Sequence, residues 1–80
     1  MKTNELIENL DKVHTTALGA ERIRRNLCLN VDDVEDWCRQ KIQDSRSSII
    51  RKGKNWYVST GDCVITVNAH SFTVITAHKS

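Results

Sequence analysis

The spacing at which apolar residues recur changes once along this chain, near Ser48, and that change limits the folds open to it. Before it, Leu6, Ile7, Leu10 and Val13, then Leu18, Ala20, Ile23 and Leu27, then Val34, Trp37, Cys38 and Ile42 recur every three to four residues, as the apolar side of a helix does. After it, IIR, NWYVS, CVITVN and FTVITAH are short β-rich runs of period two, separated by KGK, TG and a turn near Ala69 and His70. The expected fold is therefore α+β. Three N-terminal helices, at about 4–13, 17–28 and 31–43, pack on one face of a three- to four-stranded antiparallel meander sheet. Its strands fall at about 48–51, 55–59, 63–68 and 72–78.

Local signals sharpen these bounds. Thr3, then Thr15 and Thr16, then Asn30 are the expected helix caps, since a short side-chain oxygen can accept from the free amides of a first turn. Asp32, Asp33, Glu35 and Asp36 crowd the start of the third helix, and Arg39 and Lys41 its end, as the helix dipole prefers. A turn at Thr60 and Gly61 puts Trp56, Val58, Cys63, Ile65 and Val67 on one sheet face, and an even last loop adds Phe72 and Val74. The opposite face then carries Asn55, Tyr57, Ser59, Val64, Thr66, Asn68, Thr73 and Ile75, a mixed surface suited to partial cover or to binding.

The chain of 80 residues is read as a single domain, 1–80, because a domain this size buries only about 60% of its unfolded surface and has no room for a second core. The start MKTNELIENL has no apolar leader core, and no run approaches the roughly 20 apolar residues that span a bilayer, so a cytoplasmic protein without membrane contact is expected. Cys28, Cys38 and Cys63 are odd in number and lack knuckle spacing; each lies beside apolar residues and reads as a buried thiol. No phosphate-loop, dinucleotide, nucleophile-elbow or zinc-protease motif occurs, so no cofactor and no metal site is expected.

Twelve Lys and Arg against 10 Asp and Glu do not by themselves imply nucleic acid, but the distribution is uneven. His70 falls at the end of the sheet that holds Arg51, Lys52, Lys54 and Asn55, whereas His78 falls beside Thr60, Gly61 and Asp62. At about 3.3 Å per residue the two imidazoles lie on the order of 25 Å apart, so they form two candidate sites rather than one pair. Histidine among cations suits phosphodiester chemistry, the imidazole moving a proton and the cations stabilising the added negative charge. His70, Lys54 and Arg51 compose the first catalytic candidate, and His78 with Thr76 and Lys79 the second. Arg22, Arg24, Arg25 and Lys52 are candidate phosphate contacts. A solvated polar turn and a solvated helix face are the ordinary alternatives for both groups. His14 reads as a helix-end residue bound to terminal carbonyls. Tyr57 is the expected exposed aromatic, Trp37 and Trp56 the expected core.

Together, HTTALGAERIRRNL, DDVEDWCRQKI, RKGKNWYV and CVITVNAHSFTVITAHK resemble a small bacterial family, domain of unknown function 3781, over nearly the whole chain. That resemblance implies a bacterial origin and a compact domain, and transfers no catalytic residue. In its order of helices and sheet, and in TVITAHK, the chain is more loosely similar to the RelE, barnase and EndoU-like ribonuclease toxins. Three readings follow: an RNA-binding or ribonuclease-toxin-like domain; a non-enzymatic module that meets a protein partner or forms a homodimer through the face around Tyr57, Val64 and Ile75; and a winged-helix DNA binder, disfavoured because acids crowd its reading helix.

Overall fold

A computed structural model describes residues 5–79. Three helices precede a sheet whose four strands lie side by side in chain order, all antiparallel. The expected Thr3 cap lies outside the described residues.

The first helix is shorter than its period implies. α1 covers Glu5–Glu8, and a 3-10 turn, Leu10–Lys12, follows a break at Asn9. The amide Nδ2 of Asn9 donates to the Glu5 carbonyl at 2.9 Å, so a side chain takes an acceptor of the last turn. α2, Ala17–Leu27, starts at Thr16, whose hydroxyl accepts from the Gly19 amide. It ends on Cys28, left-handed at φ 53°. The buried side of α2 is Gly19, Ile23 and Leu27, not the expected Leu18, which is 80% exposed. A Cβ at Gly19 would lie 2.9 Å from Thr16 Oγ1, closer than a Cβ can sit, so the missing side chain leaves room for the cap hydroxyl, while the Val74 carbonyl, 3.7 Å away, would be in ordinary contact. α3, Val34–Gln43, is capped by Asp33 rather than Asn30, its carboxylate accepting from the Asp36 amide at 2.9 Å. Val34, Cys38 and Ile42 are buried along it, while Trp37 is only half-buried.

β1 (Ser48–Lys52), β2 (Asn55–Thr60), β3 (Cys63–Asn68) and β4 (Val74–Lys79) agree closely with the expected runs. The β2–β3 turn is Gly61 and Asp62, because Thr60 pairs with Cys63, and not Thr60 and Gly61. Gly61 has φ 58°, as a tight hairpin turn requires. The correction moves the register by two residues, so each side chain keeps its expected face.

β4 departs more. Thr66 pairs with Thr76 but the next residue, Val67, pairs with Val74, leaving Ile75 as the extra residue of a bulge. The bulge brings Ala77 into the core and turns Thr76 and His78 to the opposite face. Phe72, expected in the strand, sits in the preceding turn at φ 61°.

Fourteen buried apolar residues from α1, α2, α3, the Val13 segment and three strands form one cluster, with β1 adding the partly buried Ile49. Burying each Ile or Val side chain stabilises by about 1.5–3 kcal/mol. All helices lie on this side. Among the described residues no helix lies over the other face, which the row Ile50, Tyr57, Thr66 and Thr76 crosses from edge to edge.

Candidate functional site

Two turns meet at one end of the sheet. The Ala69 amide donates to the Lys54 carbonyl at 2.7 Å, joining the Gly53–Lys54 turn to the segment between β3 and β4. Asn68 shapes that segment: its Oδ1 accepts from the amides of His70 (2.9 Å) and Ser71 (3.0 Å), a local mimic of a backbone turn. Neither RKGK nor NAHSFT holds an acid. Arg51, Lys52, Lys54 and His70 are therefore gathered, all exposed, at this end.

Below them Trp56 and Phe72 stack obliquely, ring centres 5.4 Å apart. Each carries a cation: Arg51 lies 5.3 Å from the Trp56 ring centre and Lys12 5.9 Å from that of Phe72. Arg51 Nε also donates to the Gly53 carbonyl at 3.0 Å. Its guanidinium is thus oriented.

The residue that sequence reasoning did not bring here is His14. The His14 amide donates to the Phe72 carbonyl (3.1 Å), and the Val74 amide to the His14 carbonyl (2.8 Å), so the segment runs parallel along the start of β4. Nδ1 lies 2.9 Å from the Lys12 carbonyl and must donate to it, the half of the expectation that holds. In the neutral ring Nε2 then accepts from the Thr73 hydroxyl at 3.0 Å, and Thr73 Oγ1 is 2.7 Å from Ser71 Oγ. This chain of hydroxyls can pass a proton between the exposed Ser71 and an imidazole of fixed orientation. From below, Arg39 holds the Val13 carbonyl through Nε (3.1 Å) and Nη2 (2.8 Å) and pairs with Glu35 at 2.9 Å. Glu35 in turn accepts from the Thr15 amide at 2.9 Å. Both neighbours of His14 are held.

The second histidine candidate stands apart. His78 pairs with Val64 toward the other end, and Thr76 Oγ1 is 3.5 Å from the Asn26 amide on the open face. Arg24 is occupied as well: its Nη2 donates to the carbonyls of Val31 and Asp32, each at 3.1 Å, tying α2 to the loop before α3. Arg22 and Arg25 remain exposed on α2.

At the far end a cavity of about 380 Å³ is lined by Trp37, Lys41, Asp44, Arg46, Thr60, Gly61, Asp62 and Cys63. Its charges are mixed. The Arg46 amide and guanidinium bond Asp44 at 2.9–3.4 Å and hold its carboxyl below the usual carboxylate range. The Cys63 thiol donates to the Thr60 carbonyl at 3.4 Å and is pushed up by burial and then by Asp62. Deeper, burial, with Cys63 and Glu35 adding to it, raises Cys38 to about 12. Neither thiol is a ready nucleophile at neutral pH. Cys28, expected to be buried, is exposed instead, since the left-handed cap turns it outward.

Among the described residues no three His, Cys, Asp or Glu side chains converge to hold a metal ion, and no helix is long and apolar enough to cross a membrane. No curated protein and no solved structure matched the chain, and the looser likeness to ribonuclease toxins gains no support from these comparisons. A family model does match, over residues 7–78, from within α1 to the last but one residue of β4. With nine-tenths of its length inside that match, the chain belongs to the family described as Protein of unknown function (DUF3781).

Proposed function

We propose that the protein binds RNA through the basic end of its sheet, with ribonuclease-toxin-like cleavage as the activity this site would carry. The observation that carries the reading is the hydrogen bond from the Ala69 amide to the Lys54 carbonyl, which fastens the His70 turn to the basic turn. Arg51, Lys52 and Lys54 are then the phosphate contacts, aided by Lys12 on Phe72. His70, whose exposed ring has no hydrogen-bond partner among the described residues, is the group placed to move a proton. His14 is a second, oriented imidazole at the same end, and Ser71 the hydroxyl that links it to solvent.

The test is incubation of the purified protein with bulk RNA, scoring filter retention and cleavage together. Lys54→Ala should weaken retention and lower the salt slope by about one. His70→Ala should abolish cleavage while leaving retention within about twofold. His78→Ala, at the far end, should change neither. RNA that is neither retained nor cut would end the proposal.

A further inference from the structure

The two edges of the sheet are finished differently. On β4 the Val13–Thr15 segment bonds the strand's start, and Asn26 Nδ2 donates to the Ala77 carbonyl at 3.1 Å. Along β1 no hydrogen bond from any described residue reaches the outer backbone. The two-residue turn closes on Lys52 and Asn55, so by the alternation of an antiparallel ladder the free amides and carbonyls belong to Ile49 and Arg51. Between them Ile50 stands on the helix-free face, 58% exposed.

Such an edge is a template for another strand, and cations on an edge usually deter pairing. Here their placement selects one arrangement. An antiparallel pairing of β1 with β1 of a second copy, centred on Ile50, sets Ile49 opposite Arg51 and Ser48 opposite Lys52. Both outward-facing pairs then exchange hydrogen bonds, four in all, and within the strands no cation faces another. Centring on Arg51 sets guanidinium against guanidinium, and centring on Ile49 leaves only one hydrogen-bonded pair within the two strands. A parallel pairing through the same outward groups must be offset by an odd number of residues, and an offset of one sets Arg51 beside Lys52.

We propose that a second copy of this chain docks along β1, with Ile50 on the two-fold axis, to give a continuous eight-stranded sheet. The row Ile50, Tyr57, Thr66 and Thr76 then extends across both copies as one open face. The two basic ends lie at opposite extremes of that face. Arg51 and Lys52 belong to this interface as well as to the proposed phosphate contacts, but dimerisation is read without RNA, so its failure and that of the RNA reading are distinguishable.

The test is sedimentation equilibrium of the full chain, with cross-linking to read the register. The native chain should sediment at twice its 9.1 kDa mass. Ile50→Lys should weaken association at least tenfold with the circular dichroism unchanged. In a Cys28→Ser background, Ile50→Cys should cross-link on mild oxidation, because directly opposed residues of a non-hydrogen-bonded pair lie about 4.5 Å apart at Cα, within disulfide reach. Arg51→Cys in the same background should cross-link several-fold less. A native chain that stays monomeric to millimolar concentration would overturn the proposal. So would a dimer indifferent to Ile50→Lys, or cross-linking through Arg51→Cys that exceeds that through Ile50→Cys.

Discussion

The two ends of the sheet treat their cations in opposite ways. At the Gly61 end Arg46 bonds Asp44, and Asp62 lines the same cavity as Lys41, whose ammonium lies 5.5 Å from the Trp37 ring centre, so acids accompany the cations. At the His70 end no acid occurs in either turn, and the cations rest on aromatic rings and carbonyls instead. The first arrangement neutralises a surface. The second keeps positive charge available to an anion from outside while fixing where it points, which makes it the better candidate for a binding site.

Three measurements would break or sharpen this contrast. The largest effect is expected from Arg39→Ala, which deprives the Val13 carbonyl and Glu35 of a charged partner beneath His14. Hydrogen bonds to charged groups contribute about 1.5–3 kcal/mol, and we expect a loss of about 2–3 kcal/mol by urea unfolding, with shifted His14 ring resonances. The matching change at the other end, Arg46→Ala, removes a side chain that is 90% exposed and should alter stability by less than about 0.5 kcal/mol. Equal losses would mean that the basic end is no more tightly built than its counterpart.

Asn68→Ala comes next, because one carboxamide oxygen accepts from two amides of the His70 turn. A loss of about 1–2 kcal/mol is expected, together with faster hydrogen exchange at His70 and Ser71. Unchanged exchange would show that the bond from Ala69 to Lys54 suffices to hold the turn.

The smallest effect near neutrality concerns the far end. Cys38 titrates at about 12 in the fold against 9.0 for an ordinary thiol, so the folded state binds more protons between these values. The stability from its neutral form is complete below pH 9.0 and falls as pH rises toward 12. Cys38→Ala should flatten this alkaline limb of the unfolding midpoint. A limb of undiminished slope would assign it to other groups.

Helices and strands were legible because burial imposes its period on side chains, and Trp56, Val58, Ile65 and Val67 repeat theirs without interruption. The bulge at Ile75 was not legible, because it changes the phase of Thr76, Ala77 and His78 while the residues on both sides still look like a strand. Leu18 was misread because α2 turns Gly19 toward the sheet, and a glycine adds nothing to an apolar count. At the candidate site the basic turn and His70 could be placed from hairpin geometry alone. His14 could not, since its partner Thr73 is 59 residues away and the bridge between them lies outside any regular strand.

That separation governs the order in which the site can come into being. A contact between residues 59 apart closes a loop comprising most of the chain, and its entropic cost is met only when β3 and β4 already offer a paired edge. His14 is therefore oriented only once the segment 72–74 is in place. A chain still being synthesised, or one stalled before β4, would present its basic turn without the oriented imidazole. Any chemistry that needs both would be withheld until the molecule is whole.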